Sequence, residues 1–594
     1  MRRSTCKAGH CRLGILVPLL LVSQALPAQL SPALLFDLDP VQPLGTVFVF
    51  RGTSGSDHPG PYQYRFRTRM GDAPFSVVRD FGPKPELIWG SFDGDGRYDI
   101  ELTVRNTATG ESATSATSID LLPLSPYGVP MVSATWHPLV FLYGAPACPA
   151  GATMKVFWQS AAGALAEAPA KPCNGNQSMN FLVAGLRAVS GYTVWHELTA
   201  GGSIEKGPVL EFITPAVDVP VAPVQVSPAA ADQQGLVLQS PLGQMVVAHD
   251  LQGNVIWFYA SDTSNLTRPS PGGRFLAIFQ DPFLGPEHQT FRLFDLIGIT
   301  LKETNAARVN EQLAAMGVRE ITGFHHEARE MPNGKFLVLA SSERILSDIQ
   351  GPGEVDVIGD TILVLDGELR VEWAWDSFDH LDPRNAAVLG EVCTPAGGGC
   401  PPFYKAPKAN DWLHSNSLQL APDGNIIVSV RHLDQILKVD YQGGAASGEV
   451  LWRFGKDGDF KVESADPWPW PSHQHDASIL EDGTLLIYDN GNTRRQSDPL
   501  AQSRGQRWEL DETAMTARPL LNAKLGAYAP ALGSAQWLSD GSYHFNSGLI
   551  FVPPFRMEAQ SIQTDASGAV ILKHTTPTPV YRTFHMKDLY TPGQ

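Results

Sequence analysis

The sequence predicts an all-β protein whose larger part is a six-bladed β-propeller. The second half of the chain repeats a unit in which an Asp-Gly or Asn-Gly turn precedes an apolar, β-prone run. Units aligned on their turn glycine recur at roughly sixty residues, the length of one generous blade of four short strands. The composition, with 55 Gly and 47 Pro, favours a turn-rich β architecture over helices. The aligned glycines are Gly273, Gly334, Gly424, Gly483 and Gly541.

Residues 1–28 have the pattern of a secretory signal peptide. Arg2, Arg3 and Lys7 precede an apolar run over 13–22, which is too short to span a bilayer. Ala28 closes a small-residue cleavage site. We therefore expect a periplasmic or secreted protein with no membrane span after cleavage, with an uncleaved anchor as the alternative.

Two β modules are predicted ahead of the propeller. Residues 29–126 resemble an Ig/PKD-like sandwich, and residues 127–216 show the short β-rich runs of a fibronectin-III-like sandwich. Asp93, Asp95 and Asp99 lie in an Asp-Gly turn that does not meet the EF-hand pattern, so a plain turn is preferred and calcium binding stays open.

A proline-punctuated stretch over 217–230 is predicted to link the modules to a propeller over 231–594. The best helix candidate within the propeller is 305–316. A Gly- and Pro-rich segment over 386–408 lengthens one repeat and is expected to be a surface insertion.

Four cysteines remain once the signal segment is removed. Cys148 with Cys173 and Cys393 with Cys400 are expected to form disulfides in an oxidising compartment. Neither pair has the CxxC spacing that zinc sites favour.

The net charge of −17 disfavours nucleic acid as a partner. An anionic substrate would therefore need a local cationic pocket. The charge alone identifies no other partner.

Histidines recur at one point of the repeat. Counting eight residues back from each turn glycine gives one equivalent position in each blade, and we call this set of positions the column. Side chains at these positions should ring one mouth of the central channel. His414 and Arg431 flank the column, and an arginine among histidines suits a tetrahedral oxyanion better than a cation. A metal site is the competing interpretation. The column is Asn265, His326, Asn416, His475 and Gly533.

Three stretches of the repeat region resemble the bacterial arylsulfate sulfotransferases. They are GFHHEAREMPNGKFLVL, DWLHSNSLQLAPDGNIIVSVRHLDQILKVD and HQHDASILEDGTLLIYDNGNTR, and the match runs from about residue 235 onward. The resemblance implies a periplasmic six-bladed propeller with an added β-sandwich, often a homodimer. It also implies sulfuryl transfer between phenols without the nucleotide donor PAPS, and no cofactor or metal.

The resemblance assigns roles to residues of this sequence. His475 matches the nucleophile that is transiently sulfated, and His414 and Arg431 match the sulfate-binding pair. His326 matches the remaining catalytic histidine, with His325 as an alternative because the pair is ambiguous. The further substrate-binding candidates are His325, Asn416, His473 and Asn490.

The sequence departs from the family in having two front modules and no cysteine between Arg431 and His475. The expected reaction is ping-pong transfer from an aryl sulfate donor to a phenolic acceptor through a sulfohistidine. The alternatives are a non-enzymatic exported propeller that binds a glycan or protein, and a metal-dependent hydrolase.

Overall fold

The computed structural model describes residues 30–55, 60–125, 127–161, 163–228, 235–261, 263–281, 283–394 and 397–593. The predicted signal peptide lies outside these residues. The described chain is all-β, as expected, and its three α-helices are short: α1 (Ala306–Met316), α2 (Ser377–His380) and α3 (Asn492–Ser497). None of its helices is long and apolar enough to cross a membrane.

The first module consists of two sheets, ordered β1-β3-β6 and β2-β8-β7-β4-β5. Buried aromatic and aliphatic side chains from both sheets share one core. The strands are β1 (Ala33–Leu35), β2 (Val41–Pro43), β3 (Phe48–Thr53), β4 (Tyr62–Met70), β5 (Ser76–Gly82), β6 (Glu86–Trp89), β7 (Gly96–Asn106) and β8 (Ser112–Leu122).

The second module also consists of two sheets, ordered β14-β10-β9 and β12-β11-β15-β16, with β13 beside β11 and β17 beside β15. The predicted disulfide between Cys148 and Cys173 is confirmed. The strands are β9 (Met131–Ala134), β10 (Phe141–Ala145), β11 (Thr153–Ser160), β12 (Ala166–Glu167), β13 (Lys171–Pro172), β14 (Met179–Val183), β15 (Gly191–Ala200), β16 (Ser203–Lys206) and β17 (Leu210–Ile213).

The aspartate turn of the first module contacts the second. Asp93 pairs with Lys171 at 2.6 Å, and Asp95 Oδ1 accepts from the backbone N–H of Ser178 at 2.9 Å. Asp99 pairs with Arg69 at 2.7 Å. These contacts use the three carboxylates for docking and pairing.

The remaining chain contains units of four antiparallel strands, and β18, β30, β31 and β36 add to the edges of some of them. The strands are β18 (Gln225–Ser227), β19 (Leu236–Pro241), β20 (Val246–Asp250), β21 (Val255–Tyr259), β22 (Asn265–Ser270), β23 (Arg274–Phe279), β24 (Thr290–Asp295), β25 (Thr300–Asn305), β26 (Gly323–Glu330), β27 (Phe336–Ser347), β28 (Glu354–Leu365), β29 (Val371–Asp376), β30 (Val392–Cys393), β31 (Ala409–Asp411), β32 (Ser415–Leu420), β33 (Ile426–Val430), β34 (Gln435–Val439), β35 (Val450–Gly455), β36 (Lys461–Val462), β37 (His475–Ile479), β38 (Leu485–Asp489), β39 (Arg504–Asp511), β40 (Thr516–Lys524), β41 (Ser534–Trp537), β42 (Tyr543–Val552), β43 (Arg556–Thr564), β44 (Val570–Thr576) and β45 (Val580–Met586).

Five of these sheets are sequential, and the sixth is closed by the two ends of the region. The sequential sheets are β22–β25, β26–β29, β32–β35, β37–β40 and β41–β44, while β45 pairs with β19 to complete the sheet of β19–β21. One strand of each sheet contacts a strand of the next sheet, in the cyclic order β45, β22, β26, β32, β37, β41. The five aligned glycines all have left-handed φ between 74° and 85°, which explains why glycine is used at these turns.

The disulfide of the insertion and the helix α1 are both found where the sequence predicts them. The Cys393–Cys400 disulfide is confirmed, and it lies between β29 and β32. Helix α1 begins after Asn305, whose side chain accepts from the Arg308 N–H, and ends at Gly317, whose φ is 71°.

The front modules pack firmly on the repeat region. One hydrophobic core runs from the first module through the second into the sheet of β19–β21. Strand β5 pairs with β25 at Arg79 and Glu303, which also form a 2.7 Å salt bridge. Tyr590 donates to the Leu182 carbonyl at 2.6 Å, which ties the last residues of the chain to the second module.

Candidate functional site

The candidate site lies where the first strands of neighbouring sheets begin. Asn265 and His475 open β22 and β37, His326 and Asn416 lie near the starts of β26 and β32, and Gly533 immediately precedes β41. Because these strands contact their neighbours in cyclic order, the sequence column becomes a cluster in space.

The backbone at these strand starts is irregular. Register shifts of the kind made by β-bulges occur in β26, β32 and β37, and a bulge bends its strand and redirects side chains. His326, His414 and His473 have φ of 56°, 50° and 50°, a left-handed conformation that residues other than glycine seldom adopt. The directions of these imidazoles are therefore set by local irregularity.

His475 is held in one tautomer by Asn490. Its Nδ1 lies 2.7 Å from Asn490 Oδ1, and Asn490 Nδ2 donates to the carbonyls of Ala529 and Leu532 at 2.8 and 3.0 Å. Since the amide nitrogen is committed to carbonyls, Oδ1 must accept the proton of His475 Nδ1. The lone pair of His475 is then on Nε2.

The environment keeps His475 and His326 neutral. Burial, followed by the positive charge of Arg431, holds the pKa of His475 well below its ordinary value of 6.5. Burial, followed by His414, does the same to the pKa of His326. Both rings are therefore available as nucleophiles or proton acceptors at neutral pH.

His414 and Arg431 lie beside these two imidazoles. His414 Nδ1 is 2.6 Å from Asp411 Oδ2, and the His414 ring centroid is 4.7 Å from that of His326. Arg431 donates from Nη2 to the Pro530 carbonyl at 3.1 Å. Burial lowers the pKa of Arg431, but a guanidinium remains charged, so the site offers a cation to an anionic ligand.

Asp411, His414 and His432 bring three possible metal-ligand atoms within 4.8 Å of one another. The nitrogens of His432 are already engaged, because Nδ1 lies 2.7 Å from the Asp411 carbonyl and Nε2 contacts the Arg431 guanidinium. A guanidinium at this position repels a metal cation. The donor set therefore fits an anion better than a metal.

The other predicted residues have mostly internal partners. His325 is fully buried, with Nδ1 2.8 Å from His326 Nδ1. Asn416 is fully buried and donates to the Gln474 carbonyl at 2.8 Å. The geometry thus directs His326 rather than His325 toward open space, and it assigns Asn416 a contact between sheets.

His473 lies between two carboxylates. Its Nδ1 is 2.7 Å from Asp434 Oδ1, and its Nε2 is 2.5 Å from Glu391 Oε1. Burial alone would lower the pKa of His473, but these two hydrogen bonds raise it above its ordinary value. Both ring nitrogens are thus occupied, which leaves neither free for a substrate.

A cavity of about 280 Å³ opens beside His326. Its wall includes the ring of Tyr581, the apolar side chains of Leu242, Leu532 and Phe403, and part of the loop closed by the Cys393–Cys400 disulfide. Such a mostly uncharged wall suits an aromatic ring. A smaller cavity of about 70 Å³, beside Arg79 and Glu303, is lined by none of the predicted site residues.

A buried ionic network, which the sequence did not predict, lies directly beside the column residues His326 and His475. Arg268 pairs with Glu327 at 2.9 Å and also contacts Asp476, and Arg582 pairs with Glu327 at 2.9 Å. Burial alone would raise the pKa of Asp476, but Arg268 and Arg582 hold it at about 2. The available signal was that Glu327 and Asp476 directly follow the column residues His326 and His475.

The region that contains the candidate site is similar to a known protein family. The model of the family described as Arylsulfotransferase (ASST) matches residues 223–582. An arylsulfate sulfotransferase AssT of Escherichia coli O6:H1 is 25% identical over 325 residues, covering 45% of this chain and 51% of that protein. One of Lelliottia amnigena is 25% identical over 321 residues, covering 46% and 51%. The chain thus spans about half the length of the curated relatives it matches.

Among solved structures, the FN1–FN3 domains of chicken CNTN1 align with 32% of this chain and 69% of their own, at 10% identity. The TM-score is 0.13, too low to indicate a shared fold.

Proposed function

Since the chain belongs to the arylsulfotransferase family, we propose that it moves a sulfuryl group from an aryl sulfate to a phenol without PAPS. The transfer is ping-pong and passes through a sulfohistidine at His475. The observation that carries this proposal is the neutral His475, with its Nε2 lone pair free and the cationic Arg431 acting on it.

The proposed architecture is a six-bladed propeller that follows two sandwich modules, of Ig/PKD and fibronectin-III type. The cyclic contacts between strands of neighbouring sheets support the ring, and the pairing of β45 with β19 supports its closure. In such a ring the bulged strand starts lie at one mouth of the channel.

The first half-reaction forms an N–S bond and breaks an S–O bond. His475 Nε2 attacks the sulfur in line, and the electron pair of the breaking bond leaves with the phenolate oxygen. Arg431 and His414 stabilise the charge on the sulfuryl oxygens, and His326 gives a proton to the leaving phenolate. In the second half-reaction a phenol attacks the sulfohistidine, and its proton passes to His326.

The test is release of nitrophenol from 4-nitrophenyl sulfate in the presence of a panel of phenol acceptors. Without acceptor, intact mass should rise by about 80 Da, one sulfuryl group held covalently. His475→Asn should lose both signals. His544→Asn, which alters a buried histidine of β42 outside the site, is the matched control and should keep both.

The same assay separates the alternatives. Absence of any adduct together with absence of acceptor-dependent release would favour an exported propeller that only binds glycans or proteins. Loss of activity on chelation would favour a metal-dependent hydrolase, which the engaged nitrogens of His432 oppose.

We further propose that the protein acts in the periplasm or outside the cell, where its two disulfides are stable. Its partners are then the aryl sulfate and the phenol, and a homodimer is its proposed assembly. Size measurement by light scattering tests the assembly.

A further inference from the structure

We propose that Asp360 and His325 form a proton relay behind His326, which lets His326 act as an acid in the first half-reaction and as a base in the second. The inference rests on the proposed sulfuryl transfer. It gives His325 and Asp360 the role of positioning residues that never touch the substrate.

The three side chains form a chain of contacts that leads from the interior to the cavity. Asp360 Oδ1 lies 3.1 Å from His325 Nε2, and His325 Nδ1 lies 2.8 Å from His326 Nδ1. His325 is fully buried and Asp360 is 2% exposed, whereas His326 lines the cavity. The contact sequence is therefore carboxylate, buried imidazole, cavity-facing imidazole.

Asp360 is fixed in place from two sides. Its Oδ2 accepts from the Ser415 N–H at 2.8 Å, and its own N–H donates to Ser377 Oγ at 3.0 Å. Among the described residues, neither Asp360 Oδ1 nor His325 Nε2 has a hydrogen-bond partner, so their 3.1 Å contact is an ion-pair distance without hydrogen-bond geometry. Because an unpaired buried polar atom is costly, these two atoms are each other's available partners.

The ring nitrogens permit two proton arrangements. When His325 carries two protons beside the Asp360 carboxylate, its Nδ1 donates to His326 Nδ1, and His326 holds its proton on Nε2. When His325 is neutral with its proton on Nε2, His326 Nδ1 donates to His325, and His326 Nε2 carries a lone pair. His326 is neutral in both arrangements, as its low pKa requires.

The proton balance closes over the two half-reactions. In the first, His326 Nε2 gives its proton to the phenolate, and the Nδ1 proton of His325 moves to His326 Nδ1. In the second, the acceptor phenol gives its proton to His326 Nε2, and the Nδ1 proton returns to His325. No proton is lost, and Asp360 remains a carboxylate throughout.

The experiment compares two donors that differ in their leaving group. 4-Nitrophenolate leaves without much help from an acid, whereas phenolate, whose parent phenol has a pKa of about 10 as in Tyr, depends on one. Asp360→Asn and His325→Gln should lower kcat for phenyl sulfate roughly 10²-fold and for 4-nitrophenyl sulfate by about tenfold or less, since acid catalysis contributes most to poor leaving groups. KM should stay close to that of the wild type for both donors.

Ser377→Ala is the matched control, because it removes the support of the Asp360 backbone and keeps the carboxylate. It should leave the ratio of the two rates unchanged. Equal losses on both donors in Asp360→Asn and His325→Gln would overturn the relay. If one variant does not fold by circular dichroism, the other decides. A wild-type protein inactive on both donors would instead refute the proposed transfer itself.

Discussion

At the scale of single residues, the candidate site consists of imidazoles whose Nδ1 atoms all have a partner. A partner on one ring nitrogen defines what the other nitrogen can do, which is how an imidazole acquires a single chemical role. The Nδ1 partners are Asn490 for His475, Asp411 for His414, His325 for His326 and Asp434 for His473.

The lock on the His475 tautomer can be removed without touching the ring. Asn490→Ala leaves Nδ1 without its acceptor, so the nucleophilic Nε2 lone pair is no longer enforced. We expect the rate of adduct formation to fall by about 10²-fold or more, since a histidine held in the wrong tautomer loses most of its activity. Single-turnover mass spectrometry with 4-nitrophenyl sulfate measures this rate.

Asn492→Ala provides the comparison for that variant. Asn492 donates to the Pro530 carbonyl at 2.9 Å from the same segment and has no hydrogen bond to His475. Its variant should form the adduct at the wild-type rate. Equal slowing of both variants would mean that Asn490 only supports the loop.

At the scale of elements, the insertion after β29 matters because it forms part of the cavity wall. The loop from Cys393 to Cys400 contributes Gly397, Gly398 and Gly399 to that wall, and glycines bring little side-chain packing to order it. The disulfide therefore constrains this side of the cavity together with the hydrogen bonds of Pro402 and Tyr404.

Replacing Cys393 and Cys400 together by Ser should weaken substrate binding more than catalysis. Ordering even one freed residue costs about 1–2 kcal/mol, so KM should rise about tenfold or more while kcat changes little. Steady-state kinetics with a phenol acceptor measures both constants.

The double replacement of Cys148 and Cys173 by Ser is the counterpart, because that disulfide lies in the second module. It should lower thermal stability without changing KM. An unchanged KM in the Cys393/Cys400 variant would show that the loop is ordered by other contacts.

The sequence predicted the elements well because each is encoded locally. The turn glycines and the capped helix α1 depend on neighbouring residues, and both disulfides follow from the oxidising compartment that the sequence predicts. Contacts between residues far apart in the sequence depend on which strands meet and were not predictable in the same way. Asp360 reaches His325 from a different strand of the same sheet, and Arg582 reaches Glu327 from the far end of the chain.

At the scale of the whole molecule, strand β45 joins the two ends of the repeat region and contributes residues to the candidate site. Strand β45 pairs with β19, Tyr581 lines the cavity, and Arg582 pairs with the buried Glu327. The pairing with β19, one part of the cavity wall and the pairing of Glu327 therefore depend on the same seven residues, Val580–Met586.

Deletion of residues 579–594 should abolish cooperative thermal unfolding. It exposes the edge of β19, and it leaves Glu327 without Arg582, a break that typically costs about 3–5 kcal/mol for a buried pair. Calorimetry and near-ultraviolet circular dichroism measure the loss. Deletion of only 591–594 spares β45 and should unfold like the full-length protein, and a cooperative 1–578 chain would contradict the role given to the strand.

The pairing of β45 with β19 also affects the order in which parts of the candidate site are synthesised. A chain that emerges from its N-terminus makes the modules and five sheets before it makes Tyr581 and Arg582. Tyr581 and Arg582 therefore join the cavity wall and the buried ionic network after the preceding sheets have been synthesised. A chain that stops before Val580 would carry all the histidines of the candidate site and lack the Tyr581 wall and the Arg582–Glu327 pair.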